Sequence, residues 1–166
     1  HVDNFNDYVD DLTAFWQQEV LPGPWRKRYI LAHSMGGAIA TLFLQRHPNQ
    51  CDAIALCAPM FGIVMRFPDW MVRHILDWAE GHPRIREGYA MGTGRWRALP
   101  FGMNALTHSR QRYRRNLRFY ADDPRLRVGG PTYHWVREGI QAGEQVLAGA
   151  GDDATPTLLI QAEEER

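Results

Sequence analysis

Hydrophobic positions near the start of the chain recur three or four residues apart. In the segment DNFNDYVDDLTAFWQQEV, residues 3–20, aromatic and aliphatic side chains fall on one side of a helical projection and aspartates on the other, which predicts an amphipathic helix. Asp3 or Asn4 is a suitable N-cap residue. Pro22 and Gly23 are expected to end this helix.

Three later apolar runs lack this helical periodicity. They read RKRYILAH at 26–33, DAIALCA at 52–58 and TPTLLIQA at 155–162. Short apolar runs without alternation predict strands that are buried on both faces, as in a parallel sheet. A helical pattern over 36–47, stopped by Pro48, separates the first two runs. This order predicts an α/β fold built on a doubly wound, mostly parallel sheet.

Residues 59–154 separate the second and third predicted strands, although a crossover between parallel strands needs only about a dozen residues. The excess predicts a helical cap inserted between two core strands. Its expected helices lie near 68–80, 107–120 and 131–147, joined by a stretch rich in glycine and proline at 81–102. The predicted division is therefore a core over 1–59, a cap over 60–154 and a final core strand over 155–166.

Ser34 stands between the first predicted strand and the helix that follows it. Parallel sheets place their chemistry at the carboxyl ends of strands. A sharp strand–turn–helix needs small residues two positions before and after the serine, and Ala32 and Gly36 meet that need, with further room at Gly37. Such a turn exposes the hydroxyl and directs the N–H of Met35 toward a developing oxyanion. The alternative is that Ser34 only caps the helix.

The predicted cap begins with the apolar stretch PMFGIVMRFPDWMVRHILDW. An apolar, methionine-rich surface above a nucleophile suits a fatty-acyl chain, because each buried methylene contributes ~0.8 kcal/mol. The candidate acyl-binding residues are Met60, Phe61, Met65 and Trp70. The alternative is that these side chains pack the cap onto the core.

The segment HSRQRYRRNLRFYADDPRLR, residues 108–127, combines many arginines with aromatic residues and leucine at helical spacing, which predicts an amphipathic basic helix. Three interpretations remain open. The arginines could form a solvated face with Asp122 and Asp123, or a site for an anionic membrane surface or phosphate headgroup. Nucleic acid is the third and is disfavoured, because the net charge is zero.

Overall composition changes this interpretation little. The 166 residues carry a formal net charge of zero, so no bulk field favours nucleic acid or an acidic partner. Cys51 and Cys57 are predicted to be free thiols, which favours a reducing, cytoplasmic compartment, with peripheral contact to the inner membrane as an option. The chain begins without methionine, and we expect it to be an internal piece of a longer protein. Its first strands and its last segment are expected to lie outside it.

Several segments are similar to the landmarks of one family. They are AHSMGGAIATLFLQRHP, ALCAPMFG, YADDPRL followed by GGPTYHWVREGI, and PTLLIQAEEER. They resemble successive motifs of the α/β-hydrolase superfamily, in particular of its monoacylglycerol lipase and bacterial lysophospholipase branch. The resemblance implies that Ser34 is the nucleophile and that the N–H of Met35 stabilises the oxyanion. Ala32 stands where the family's turn usually begins with glycine, which leaves less clearance.

The resemblance also implies a triad in the chain order serine, acid, histidine. It sets Glu165 of AEEER on the family's aspartate, beside Arg166. Two alternatives are a solvated run of glutamates and an acid past the end of the chain. The base histidine is expected beyond residue 166. His74, His82, His108 and His134, in the cap and its linkers, are expected to be surface or packing residues. His33 is not expected to be the base, because consecutive strand residues point to opposite sides of the sheet.

The expected function is a serine hydrolase that cleaves the fatty-acyl ester of lysophospholipids or monoacylglycerols through an acyl-enzyme. No metal or organic cofactor is called for, and no nucleic-acid partner is expected. Without its histidine, the chain alone is expected to be inactive. The alternatives are a catalytically dead hydrolase fold that binds lipid or protein, and a hydrolase or acyltransferase for another ester.

Overall fold

The computed structural model describes residues 2–65, 67–104, 107–151 and 153–161. Its helices are α1 (Asn6–Phe15), α2 (Met35–Arg46), α3 (Asp69–Glu80), α4 (Pro83–Arg86), α5 (Arg110–Asp122) and α6 (Tyr133–Ala148). Its strands are β1 (Tyr29–His33), β2 (Ala53–Cys57) and β3 (Thr157–Ile160). A π-helical segment, Trp16–Val20, continues α1, and two 3-10 turns occur at Phe101–Met103 and Pro124–Leu126. None of the described helices is long and apolar enough to cross a lipid bilayer.

The strands form a parallel sheet in the order β1-β2-β3. Leu31 pairs with Ala55, which in turn pairs with Leu158. All three strands therefore end at one edge of the sheet, where β1 leads into Ser34. The predicted parallel sheet, with the cap segment between its second and third strands, is confirmed.

The main core lies between one face of the sheet and helices α1, α2 and α6. Helix α2 is apolar on most of its circumference, and six of its residues are buried, since it is sandwiched between α1, α6 and the sheet. Phe43 of α2 is 1% exposed and meets Trp16 with ring centroids 5.4 Å apart. This packing holds the later part of α2 against the π-helical segment that continues α1.

The prediction that all three strands are buried on both faces is wrong for this chain. Ile54 and Leu56 face the core, but the opposite face carries exposed side chains. Leu31, for example, is 77% exposed. The helices of the main core cover one face of β1 and β2, and all four residues of β3 are exposed. A run without polar residues does not indicate which faces its neighbours cover.

The start of α1 also differs from its prediction. Its N-cap residue is Phe5, not Asp3 or Asn4. Asn4 still accepts a hydrogen bond from the N–H of Asn6 at 2.8 Å. The N–H of Phe5 donates to Glu138 Oε2 at 2.9 Å, so a tertiary contact with α6 satisfies the backbone group of the N-cap residue.

A second, smaller cluster joins α3 to α6 through Val72, Leu76 and Val136. Helix α6 also contributes Ala142 and Val146 to the main core. It therefore spans both clusters, although its sequence fell within the predicted cap. The domain bounds 1–59, 60–154 and 155–166 remain a prediction.

Candidate active site

Ser34 occupies the turn between β1 and α2 with a backbone φ of 53° and ψ of −124°. This conformation is rare for a residue with a side chain and carries strain. Three backbone hydrogen bonds hold it. The N–H of Ser34 donates to the carbonyl of Cys57 at 3.1 Å, and the Ser34 carbonyl accepts from the N–H groups of Gly37 and Met60, both at 2.9 Å.

The Ser34 side chain is exposed. Although Ser34 is the N-cap residue of α2, its hydroxyl makes no capping hydrogen bond within the described part of the chain. A serine that served only as a cap would accept from an N–H of the first turn. The geometry therefore lifts the hydroxyl away from the helix, as a nucleophile requires, and disfavours the capping alternative.

Met35 is the first residue of α2 and is half-buried. The first N–H groups of a helix have no partner within it and carry partial positive charge. They are therefore suited to stabilise an oxyanion beside Ser34. The Met35 side chain lines a cavity of about 460 Å³. The other residues of this cavity are Val2, Tyr8, Val128, Gly129, Gly130, Pro131, Thr132 and Trp135.

No local sequence pattern predicts this cavity beside Met35. Most of its wall comes from the segment 128–135, about 95 residues after Ser34 in the sequence. This segment contains GGPTYHW, one of the stretches that resemble the family. It lies beside Met35 because α6 returns to the core.

Crowding at the turn falls on Gly37 and not on Gly36. A Cβ atom at Gly37 would lie 2.6 Å from Cβ and 2.9 Å from Cα of Pro59, whereas a Cβ atom at Gly36 would meet nothing within 4 Å. The prediction that Gly36 relieves the crowding is therefore wrong. Ala32 is buried on the core face of β1, where its methyl group is accommodated.

The four candidate acyl-binding residues do not line one cavity. Met65 lines an apolar cavity of about 480 Å³ between α3, the start of α6 and residues 90–92. Met65 and Phe61 share a smaller cavity of about 200 Å³. Trp70 is 67% exposed and contacts His74 edge-on at 6.3 Å. Trp70 therefore lines neither of these two cavities.

Met60 and Phe61 pack against the main core. Gly143 of α6 permits the close approach of Phe61, because a Cβ atom there would lie 2.5 Å from the Phe61 carbonyl oxygen. Met60 needs no such glycine, since a Cβ atom at Gly139 would meet Met60 Cε at 3.8 Å, an ordinary contact. The packing alternative therefore accounts for both residues in this structure.

Glu165 and Arg166 lie outside the described residues, so the predicted acid remains a prediction. Of the histidines, His33 is exposed beside Ser34, and His74 and His82 are exposed on or after α3. His134 is the exception, at 4% exposed. His134 Nδ1 lies 2.5 Å from Glu80 Oε1, and Nε2 lies 2.8 Å from the Asp3 carbonyl.

The carboxylate of Glu80 links this buried histidine to Arg86, whose Nε donates to Glu80 Oε2 at 3.0 Å. Burial by itself would raise the pKa of Glu80. Hydrogen bonds from His134 and Arg86 outweigh it, so the pKa is lowered from its ordinary 4.5. The cluster ties α3, α4, α6 and the chain start together, and His134 is a packing residue.

The two cysteines are free thiols, as predicted. Burial, together with Asp153 and Asp52, raises the pKa of the Cys51 thiol. A thiol with a raised pKa is a poor nucleophile at neutral pH. The buried Cys51 thiol is therefore unsuited to act as a nucleophile.

Comparison with known proteins identifies the class. The sequence matches the Hydrolase_4 family, described as serine aminopeptidase, S33, over residues 1–166, and the chain belongs to this family. A crystal structure of Paleococcus ferrophilus monoacylglycerol lipase superposes with a TM-score of 0.64 at 17% identity, covering 95% of this chain and 54% of that chain. The fold is that of the α/β-hydrolases, which confirms the predicted fold class.

Two relatives indicate the branch of the family that the chain resembles. Lysophospholipase L2 of Escherichia coli (strain K12) is 84% identical over 166 residues, which is 49% of its own length. A probable lysophospholipase L2 of Haemophilus influenzae is 28% identical over 169 residues, or 52% of its length. The chain thus spans about half the length of the curated relatives it matches. The resemblance to the bacterial lysophospholipase branch is confirmed.

Proposed function

We propose that this chain supplies the nucleophile and one oxyanion donor of a serine hydrolase for single-chain lipid esters. The observation that carries the proposal is the backbone of Ser34. A φ of 53° and three backbone hydrogen bonds hold an exposed, uncapped hydroxyl at the edge of the sheet. The 84% identity to a lysophospholipase supports the choice of substrate class.

In the proposed reaction, Ser34 Oγ attacks the acyl carbonyl carbon while a histidine beyond residue 166 takes its proton. Glu165 orients that histidine. The N–H of Met35 donates to the oxyanion of the tetrahedral intermediate. As the intermediate collapses, the ester bond breaks and the histidine returns its proton to the leaving glycerol oxygen. Water then attacks the acyl-enzyme and releases a fatty acid and free Ser34.

The substrate proposed is a lysophospholipid or a monoacylglycerol. The cavity beside Met35 and the apolar cavity that contains Met65 support an ester with one long acyl chain, because such surfaces bind methylene groups. The mechanism needs no metal or organic cofactor. We place the protein in the cytoplasm, with peripheral contact to an anionic membrane surface that presents its substrate.

The first test uses a protein of the relatives' length that contains this chain. A fluorophosphonate probe should label Ser34, and Ser34→Ala should abolish both labelling and hydrolysis of a 1-acyl lysophospholipid. Ser109→Ala is the matched control, because Ser109 also begins a helix but caps it, and its labelling should persist. Labelling that survives Ser34→Ala would overturn the nucleophile assignment.

A second test addresses the acid and the substrate. Glu165→Gln should lower kcat with a small effect on KM, because its carboxylate acts through the histidine. A series of esters with acyl chains from four to sixteen carbons should show rising kcat/KM with length. A flat or falling series would favour a short-chain esterase over a lipid hydrolase.

A further inference from the structure

Helix α5 is the most isolated helix of the described chain. None of its thirteen residues is buried. Its contacts run through one aromatic side and through Arg110, whose guanidinium stacks over the Phe101 ring at 4.8 Å from the centroid. Tyr113 meets Phe101 at 5.7 Å, and Tyr120 meets Trp96 at 5.2 Å between ring centroids. Because this side holds the helix to its neighbouring loops, the remaining circumference faces solvent.

The solvent-facing side of α5 carries a dense array of arginines, which we call the arginine face. Arg110, Arg114 and Arg118 follow one another at four-residue spacing, and Arg115 lies beside them. All four line a shallow depression of about 460 Å³ with Gln111. The helix holds five arginines and one aspartate, Asp122, in a chain whose net charge is zero.

The arginines of this face lack carboxylate partners, as do some other surface arginines of the described chain, such as Arg84. Among the described residues, Arg114, Arg115 and Arg118 form no ion pair, whereas four exposed or half-exposed arginines elsewhere do. Those are Arg46 with Asp10 at 3.0 Å, Arg73 with Glu144, Arg125 with Asp123 at 2.7 Å, and Arg137 with Asp77 at 3.4 Å. The solvated-face interpretation expected Asp122 and Asp123 to pair with this helix. Asp123 is instead bound by Arg125.

An exposed aromatic residue interrupts the cationic surface. Phe119 is 55% exposed and follows Arg115 by four residues and Arg112 by seven, so it lies at the edge of the arginine face. A phenylalanine among unpaired arginines on a polar helix is typical of helices that lie in a membrane interface. Binding of a soluble anion does not require an exposed apolar side chain.

We propose that the arginine face docks onto an anionic phospholipid bilayer, with its guanidinium groups on lipid phosphates and Phe119 at the headgroup boundary. Guanidinium groups match phosphate oxygens in planar, paired hydrogen bonds, and here no carboxylate competes for them. The proposal rests on the proposed function, since an enzyme for single-chain phospholipids gains substrate by residing on a bilayer.

The test uses the protein of the relatives' length, with the Ser34→Ala substitution so that no lipid is consumed. Sedimentation with phosphatidylglycerol–phosphatidylcholine vesicles is compared with phosphatidylcholine alone. The variant Arg114→Gln/Arg115→Gln/Arg118→Gln should weaken binding on the order of 100-fold, because each basic residue near an anionic surface contributes about fivefold. Raising the salt from low to high concentration should weaken binding by the wild-type face.

The matched control removes the same charge from paired positions, in Arg73→Gln/Arg125→Gln/Arg137→Gln. Circular dichroism should show that both triple variants are folded. The control should bind vesicles within a fewfold of the parent. Equal losses in the two variants would overturn the proposal, because net charge and not the arginine face would then govern binding.

Phe119→Ser separates a bilayer from a soluble polyanion. It should weaken vesicle binding several-fold and leave binding to heparin unchanged. A substitution without effect on vesicles would instead favour a polyanion such as nucleic acid and would overturn the membrane proposal. In parallel, hydrolysis of a water-soluble ester is measured with the protein that retains Ser34. Hydrolysis without vesicle binding would refute docking alone, and vesicle binding without hydrolysis would refute the proposed function alone.

Discussion

Helices α2 and α5 both begin after a serine, yet the two serines have different structures. Ser109 has a φ of −93°, and its side chain accepts a hydrogen bond from the N–H of Arg112 at 3.3 Å. Ser34 has a φ of 53° and makes no such bond among the described residues. The same residue type at the same helix position is a cap in one place and an exposed hydroxyl in the other. The difference comes from what precedes each serine.

The two helices also differ in how deeply they are buried. Ser34 follows a strand and leads into α2, which has six buried residues. Ser109 follows a loop and leads into α5, which has none. Tertiary packing on every side of α2 can hold a strained turn in place, whereas α5 depends on its own cap and on a few ring contacts. Four experiments test this difference between the packing of α2 and that of α5.

The largest effect is expected for a phenylalanine in each helix. Phe43→Ala removes a side chain that is 1% exposed in the main core and should lower the free energy of unfolding by about 3–5 kcal/mol. Phe119→Ala, on the exposed side of α5, should change it by less than about 0.5 kcal/mol. Urea unfolding monitored by circular dichroism measures both. Similar losses would mean that α5 packs as tightly as α2.

The next largest loss of stability is expected at Gly37, near the start of α2. Gly37→Ala would place its methyl group 2.6 Å from Pro59 Cβ and should cost about 2–3 kcal/mol, because backbone atoms must move. Gly36→Ala has open space and should be neutral or slightly stabilising, since alanine favours helix. Thermal unfolding of the two variants provides the measurement. Equal stabilities would contradict the close approach to Pro59.

A third pair of substitutions compares two half-buried carboxylates, Glu80 with the buried partner His134 and Asp123 with the exposed partner Arg125. The pKa of Glu80 is lowered from 4.5, so its stabilisation is complete above pH 4.5 and is lost as the pH falls through the folded-state pKa. Glu80→Gln should therefore cost about 1–2 kcal/mol at pH 7, and the difference from wild type should shrink below pH 4.5.

Asp123→Asn is the counterpart whose partner, Arg125, is exposed. Hydrogen bonds from Arg125 lower the pKa of Asp123 from 3.8, but solvent screens this ion pair. Its loss should be smaller than that of Glu80→Gln at pH 7. Urea unfolding over pH 3–7 measures both variants. A larger loss for Asp123→Asn would show that the ion pair after α5 matters more than the buried cluster.

The smallest effect is expected at the two serines. Ser109→Ala removes a capping hydrogen bond and should destabilise α5 by about 1 kcal/mol, seen as faster hydrogen exchange of its first amides. Ser34→Ala removes no cap and should leave exchange at the start of α2 unchanged. Protection lost equally at both helices would contradict the uncapped state of Ser34.

Much of the fold could be predicted because it depends on local periodicity. The helices over α1, α2, α3 and α6 and the three strands follow from apolar spacing and from proline and glycine stops. The long insertion between β2 and β3 identified a cap region. The burial of the strands could not be predicted in the same way. An unbroken apolar run has the same pattern whether helices cover one face or two.

For the candidate site too, the features that depend on local sequence could be predicted and those that depend on distant contacts could not. The sequence around Ser34 predicted a turn with an exposed serine, because small residues, an apolar strand and a helix are all local signals. The sequence assigned the crowding to Gly36, since it contains nothing about Pro59. It also grouped Met60, Phe61, Met65 and Trp70 in one pocket. The first two instead pack against the main core, where Gly143, about eighty residues later, leaves room for the Phe61 backbone.

Local sequence was enough to predict the order of helices and strands, the parallel sheet, the serine at the edge and the basic character of α5. These properties depend on the residue types within one turn or one strand. Which glycine is crowded, which histidine is buried and which arginines lack a partner became clear from the three-dimensional fold alone. Those outcomes depend on contacts between residues far apart in the chain. The same arginine is paired or free according to what the fold places beside it.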